Sequence, residues 1–301
     1  MKNSNVQILV FLAFLSGCTT VRSSNLSSLH RQARTLEQSS FEASRTGALP
    51  RAIGLEEQAL DLYRRGDSTA EIIASLNRLG SLRLQQGELT SSLRDFTEAY
   101  ELSDVLGNGA GRAAAANNLG SLARLAGDPN LAERRFGEAI DTPGATPETR
   151  ASGFNNRALL RFGAGDPAAA RQDLARALAV DRAANNRAGE ALRLRNLAAI
   201  DLHEGKLDAA IRGLSSAHAI DVQRGDPSAI ARDLEALAVA RWAEGDAPRL
   251  ALSERRRAYN IDRLQGAADA ANRQRLAIES WCKEGSFTPR PLDCVFPAEG
   301  P

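Results

Sequence analysis

Lysine is nearly absent from this chain: Lys2, Lys206 and Lys283 are the only three, and arginine supplies the rest of the 38 basic residues. With 37 interspersed acids the net charge is +1, so no broad field of one sign draws the chain to nucleic acid or anionic lipid. Two tryptophans and three tyrosines leave few rings to stack on a glycan. His30, His203 and His218 stand apart, without acids or thiols at ligand or triad spacing, and are expected on the surface or partly packed. Gly107 to Arg112, GNGAGR, lacks the lysine of a phosphate-cradling loop. Neither a catalytic constellation nor a cofactor is expected. Past residue 18 no stretch is long and apolar enough to span a bilayer.

What the chain does have is a period. Glycine recurs at Gly47, Gly87, Gly127, Gly165, Gly205, Gly245 and Gly285, in steps of 40, 40, 38, 40, 40 and 40 residues. A fixed step of this size marks a stacked repeat. Glu88, Asp128, Asp166 and Asp246 follow the glycine, then Pro129 and Pro167 in two units. Glycine closes one helix in the left-handed conformation, the acid caps the next, and proline fits its first turn. Small residues keep the same phase: Gly80, Gly120, Ala158, Ala198 and Ala238 seven before the glycine; Ala52, Ser92, Ala132, Ala170 and Ala210 five after; Ala59, Ala99, Ala139, Ala177 and Ala217 twelve after. They let helices approach closely, while Phe96, Phe136, Leu174 and Leu214, nine after, supply bulk to bury. The expected fold is all-α: a right-handed α-solenoid of about six helix–turn–helix repeats over 28–285, closed by a capping helix from Ala267 to Cys282.

The segment Ala116 to Ile140, ANNLGSLARLAGDPNLAERRFGEAI, resembles a tetratricopeptide repeat, and more closely the longer variety, roughly 40 residues, of kinesin light chains and related scaffolds. NRLGSLRLQQGELTSSLRDFTEAYEL and NNRALLRFGAGDPAAARQDLARAL follow the same pattern. The sequence departs from that family in places. Arg83, Arg161, Asp201 and Arg241 stand where a large apolar residue is usual, and Arg157 takes a leucine position. The sixth unit has one extra residue before Ala258.

The resemblance implies that the first helix of each pair lines an inner wall. Asn77, Asn117 and Asn155, followed by Arg195, lie ten before the glycine; Ser81 and Ser121 lie six before, one helical turn away on the same face. Arg124, Phe162, Leu202 and Trp242 come three before; the three apolar ones are expected to pack as core. An asparagine offers donors and an acceptor to a peptide backbone, so Asn77, Ser81, Asn117, Ser121, Arg124, Asn155 and Arg195 form a candidate peptide-binding groove. Exposed groove residues bury little, so alanine there is expected to spare the fold.

At the N-terminus Lys2 precedes an apolar run over Val6 to Leu15, short enough for a signal peptide. Leu-Ser-Gly-Cys, ending at Cys18, resembles a bacterial lipobox, which implies a signal peptide over 1–17 and lipidation of Cys18. Thr19 at the next position favours the outer membrane, with the body facing the periplasm. Residues 18–27 then form a tether and 286–301 a tail. Cys282 and Cys294 remain, bordering one short polar segment in an exported chain, and are expected to form a disulfide. The expected function is a non-enzymatic, lipid-anchored scaffold whose groove binds a protein partner of the cell envelope, in assembly of a complex such as a type IV pilus or secretin. The alternative is a lipoprotein that binds peptidoglycan or another glycan, or regulates a wall hydrolase.

Overall fold

The computed structural model describes residues 28–285, 291–294 and 296. The signal-peptide run, Cys18 and the tether lie outside the described residues. Helices follow one another through short turns: α1 (28–45), α2 (Leu49–Arg65), α3 (Thr69–Gln86), α4 (Leu89–Val105), α5 (Gly109–Leu125), α6 (Pro129–Asp141), α7 (Pro147–Gly163), α8 (Pro167–Ala183), α9 (Arg187–His203), α10 (Leu207–Arg224), α11 (Pro227–Glu244), α12 (Pro248–Leu264) and α13 (Ala268–Glu284), then a 3-10 turn over Leu292–Cys294. This is an all-α solenoid repeat of helix pairs with an added C-terminal helix. The chain divides into two compact units, Met1–Thr149 and Arg150–Pro301, and the division falls in the first turn of α7. No described helix is long and apolar enough to cross a membrane.

The periodic glycines do what the pattern requires. Gly87 closes α3 at φ 87°, and Gly47, Gly127, Gly165, Gly205 and Gly245 share the positive φ that side-chain-bearing residues disfavour. Gly285 differs: it is extended, at φ −79°. Asp128 and Asp166 accept hydrogen bonds from the amides of Leu131 and Ala169 and so cap α6 and α8. Glu88 makes no such bond. Asp246 is displaced from the cap of α12 by Ala247; the sixth unit's extra residue is taken up in this turn.

All nine alanines in the two columns after the glycine are fully buried, as is Ser92. Where serine enters the column on either side, its hydroxyl donates to the facing carbonyl: Ser92 to Gly80 and Ser40 to Ala52, each at 2.8 Å. Phe96 and Phe136 face glycines. A Cβ on Gly80 would lie 2.6 Å from the Phe96 ring, and one on Gly120 2.7 Å from that of Phe136. In the second unit the same columns hold Ala158 with Leu174 and Ala198 with Leu214, all buried. One volume is filled in two ways.

The departures at the large-apolar position form ion pairs with a neighbouring helix, within the pair for the three arginines and to the preceding pair's α8 for Asp201. Arg83 meets Asp95 at 2.5 Å, Arg161 meets Asp173 at 2.9 Å, Arg171 meets Asp201 at 2.8 Å and Arg241 meets Glu254 at 3.1 Å. Arg157, at the leucine position, grips the same Asp173 with two bonds of 2.8 Å. Cys282 and Cys294 are joined, with Cα atoms 5.9 Å apart, and Leu252, Ile278 and Trp281 pack around them.

Candidate functional site

In the first unit α1, α3 and α5 are the first helices of successive pairs, and they keep a register of 41 residues. Glu37 pairs with Arg78 at 3.1 Å, His30 lies 3.6 Å from Glu71, and Asn118 donates to the Oδ1 of Asn77 at 3.1 Å. Along this wall opens a cleft of about 790 Å³. Its α1 side carries Arg34, Glu37 and Phe41, and its α3 side Glu71, Asn77 and Ser81. Asn118 reaches it from α5, and Glu56 and Tyr63 from α2.

The wall is polar and largely self-satisfied. Tyr63 donates to Glu37 at 2.8 Å; Ser75 donates to Glu56 at 2.6 Å, and Arg78 bridges Glu37 and Glu56. Glu56 stands nine after Gly47, in the column filled by Phe96 and Phe136 in the next two pairs. Burial raises its pKa against the pull of Arg78. A carboxylate in a core column is the signal in the sequence that could have marked this cleft. Phe41 is its large exposed apolar member, 62% exposed.

The asparagines differ from the exposed ladder expected. Asn77 and Asn155 are buried. Asn77 donates to the Ile73 carbonyl at 3.1 Å. Within the second unit Asn155 accepts from Asn196 at 2.6 Å and donates to Asn156 at 3.3 Å. The amides tie neighbouring first helices together because the register is 41 residues, not 40, so the partner is the residue after the one in phase. Alanine at Asn77 or Asn155 therefore removes a buried bond, and the expectation that the fold would be spared does not hold. Asn117 is half-buried and its carbonyl accepts from Ser121, as that of Asn77 does from Ser81. Arg124 is exposed. Asn77 and Ser81 line the cleft.

Arg195 is the clearest correction. It is held by two fully buried carboxylates, Asp221 at 2.5 Å and Asp233 at 2.8 Å, and serves packing of α9 against α10 and α11. Their separations of 26 and 38 residues left no local sign of the cluster. Phe162 and Leu202 pack at the edges of the cores, and Trp242 stacks on Trp281 with centroids 4.5 Å apart, the role expected of them.

Burial, only partly offset by Arg195, pushes the Asp233 carboxyl up to about 6, above the ordinary value of about 3.9 that it recovers on unfolding. The folded chain thus binds the proton more tightly. This site's contribution to stability is full below about pH 4 and is lost as pH rises through about 6. Asp233→Asn, which keeps the neutral shape, is expected to remove that slope. In thermal melts from pH 4.5 to 7.5, its melting temperature relative to the parent should rise with pH; a constant difference would show that Asp233 does not titrate there.

Residues 71–142, which hold α3 to α6, match the tetratricopeptide repeat family. No curated protein sequence matches the chain. Among solved structures it is similar to BtubC (BKLC) from P. vanneervenii, at 19% identity and a TM-score of 0.59, over 79% of this chain and 92% of that one. It is similar to the Rap conjugation gene regulator of the plasmid pLS20 in complex with the Phr* peptide, at 15% identity and a TM-score of 0.59, over 80% and 65%. A Podosopora anserina putative kinesin light chain with nearly identical TPR-like repeats aligns at 16% identity and a TM-score of 0.50, over 63% and 94%. At these identities the likeness is one of fold.

Proposed function

We propose that this helical-pair solenoid, whose residues 71–142 match the tetratricopeptide repeat family, is a non-enzymatic scaffold that binds an extended segment of a partner protein in the cleft of the first unit. The observation that carries this reading is the cleft itself: about 790 Å³, walled by helices, with amide and hydroxyl groups beside an exposed phenylalanine. The lining from Arg34 to Ser44 and from Glu71 to Leu82 covers about 16 Å of helix at 1.5 Å per residue. An extended strand crosses that length in roughly five residues. One protein of like fold is described in complex with a peptide, which supports the use of such a wall for peptides. Scaffolds of this repeat family are generally non-enzymatic.

Ala74 is exposed within the cleft, so Ala74→Trp fills it without removing a bond. Peptides selected from a displayed random library on the full chain should lose at least about tenfold in affinity for Ala74→Trp, about 1.4 kcal/mol, while the helical circular dichroism stays unchanged. Equal affinity would place binding elsewhere.

The finer reading is that this scaffold is lipid-anchored through Cys18 at the outer membrane, facing the periplasm, and serves assembly of an envelope complex. Its support is the apolar run ending in Leu-Ser-Gly-Cys, since multiple acyl chains on one residue give stable anchoring. Cys18→Ser should release the chain from membranes or leave an uncleaved precursor; normal processing with full membrane retention refutes it.

A further inference from the structure

We infer that the cleft of the first unit selects a partner segment carrying an arginine or lysine and, about four or five residues away, a large apolar side chain. This rests on the peptide-binding reading above and specifies the chemistry of the occupant. The cleft has two unlike ends. Across from the start of α1, Glu71 sits in the first turn of α3; near the other end, eleven residues along each helix, Phe41 stands beside Leu82.

At the first end a charge lacks its partner. Among the described residues, the one group near the Glu71 carboxylate is the Nε2 of His30, 3.6 Å away. That same nitrogen accepts a hydrogen bond from the Nε of Arg34 at 3.0 Å. One imidazole nitrogen cannot accept from Arg34 and donate to Glu71 together, so the bond to Arg34 leaves the carboxylate with no donor among the described residues. The rest of the lining does not supply one. Arg78 is held between Glu37 and Glu56, and Arg34 is engaged with His30. Three carboxylates, Glu37, Glu56 and Glu71, face two guanidinium groups, Arg34 and Arg78, a balance that favours an incoming cation. Guanidinium and ammonium groups bind a carboxylate by charge-assisted hydrogen bonds.

At the second end Phe41 is 62% exposed, with Leu82 beside it in the lining. An apolar side chain of the partner laid there removes the exposed Phe41 surface from water, Leu82 being already buried. Eleven residues of helix separate the ends by about 16 Å, the span of about five residues of extended peptide, which sets the spacing of the two side chains.

The test uses the full chain and fluorescence anisotropy with three labelled peptides. All have phenylalanine and, five residues away, arginine, glutamine or glutamate, in an otherwise Gly/Ser background. The arginine peptide is expected to bind about three- to tenfold more tightly than the glutamine peptide, as for a half-exposed ion pair, and the glutamate peptide most weakly. Glu71→Gln should abolish the preference for arginine, and Phe41→Ala should weaken all three alike. If all three bind with equal affinity and Ala74→Trp still blocks them, the peptide cleft stands and its preference for a basic segment is overturned. Tighter binding of the glutamate peptide overturns it as well. If none binds and Ala74→Trp has no effect on selected peptides either, the cleft reading itself falls, and this inference with it.

Discussion

Asp173→Ala is expected to destabilise the second unit by about 3–5 kcal/mol, the usual cost of removing one partner from a buried ion pair. Asp173 is fully buried and accepts from Arg157 twice and from Arg161 once, all within 2.9 Å. Without it, Arg157, whose side chain is 14% exposed, keeps a positive charge away from water. Arg161 suffers less, being more exposed. The reciprocal change is the sharper test. Arg157 occupies a position where similar repeats place leucine, and buried pairs exchanged for well-packed apolar residues are often neutral or better. Arg157→Leu with Asp173→Ala should therefore recover most of what Asp173→Ala alone loses, in urea unfolding followed by circular dichroism. Unchanged stability of the single variant would mean that the pair is not buried as described.

Gly120→Ala should destabilise the first unit by about 1–3 kcal/mol through overpacking, although alanine in place of glycine within an open helix normally gains about 1 kcal/mol. The new methyl would stand 2.7 Å from two ring carbons of Phe136, with the Cβ of Arg135 at 3.2 Å on another side. Phe136 is fully buried and has nowhere to move. Phe136→Leu alone leaves a gap and costs stability as well. The two together reproduce the Ala158–Leu174 arrangement of the second unit, so the double variant is expected near the parent, with a coupling of about 2–3 kcal/mol between residues in direct contact. Additive losses in a double-mutant cycle would show that the glycine is there for some reason other than the ring.

Much of this arrangement is legible without coordinates. The left-handed glycine from Gly47 to Gly245, the caps at Asp128 and Asp166 and the buried alanine columns are each set by residues within one helix pair, where backbone strain, capping and close approach act over a few residues. The cleft was legible only in part. Ser81 and Asn77 sit on its wall, but Phe41, Glu56 and Glu71 were not singled out. Glu56 breaks the column held by Phe96 and Phe136, a mark that could have been noticed.

What the sequence determined by itself, then, is the repeat: its length, its turns and the faces each helix must bury, because these follow from local conformation and from periodicity. What only the tertiary structure decided is how successive first helices meet. The 41-residue register joins Asn77 to Asn118 and Asn155 to Asn196, one residue off the period, because side-by-side helices align by packing and not by count. The same packing draws Asp221 and Asp233 onto Arg195, turning an expected groove residue into an internal tie. It also leaves Glu71 without a donor among the described residues at the edge of an open cleft, since whether a charge finds its partner depends on helices that are neighbours in space.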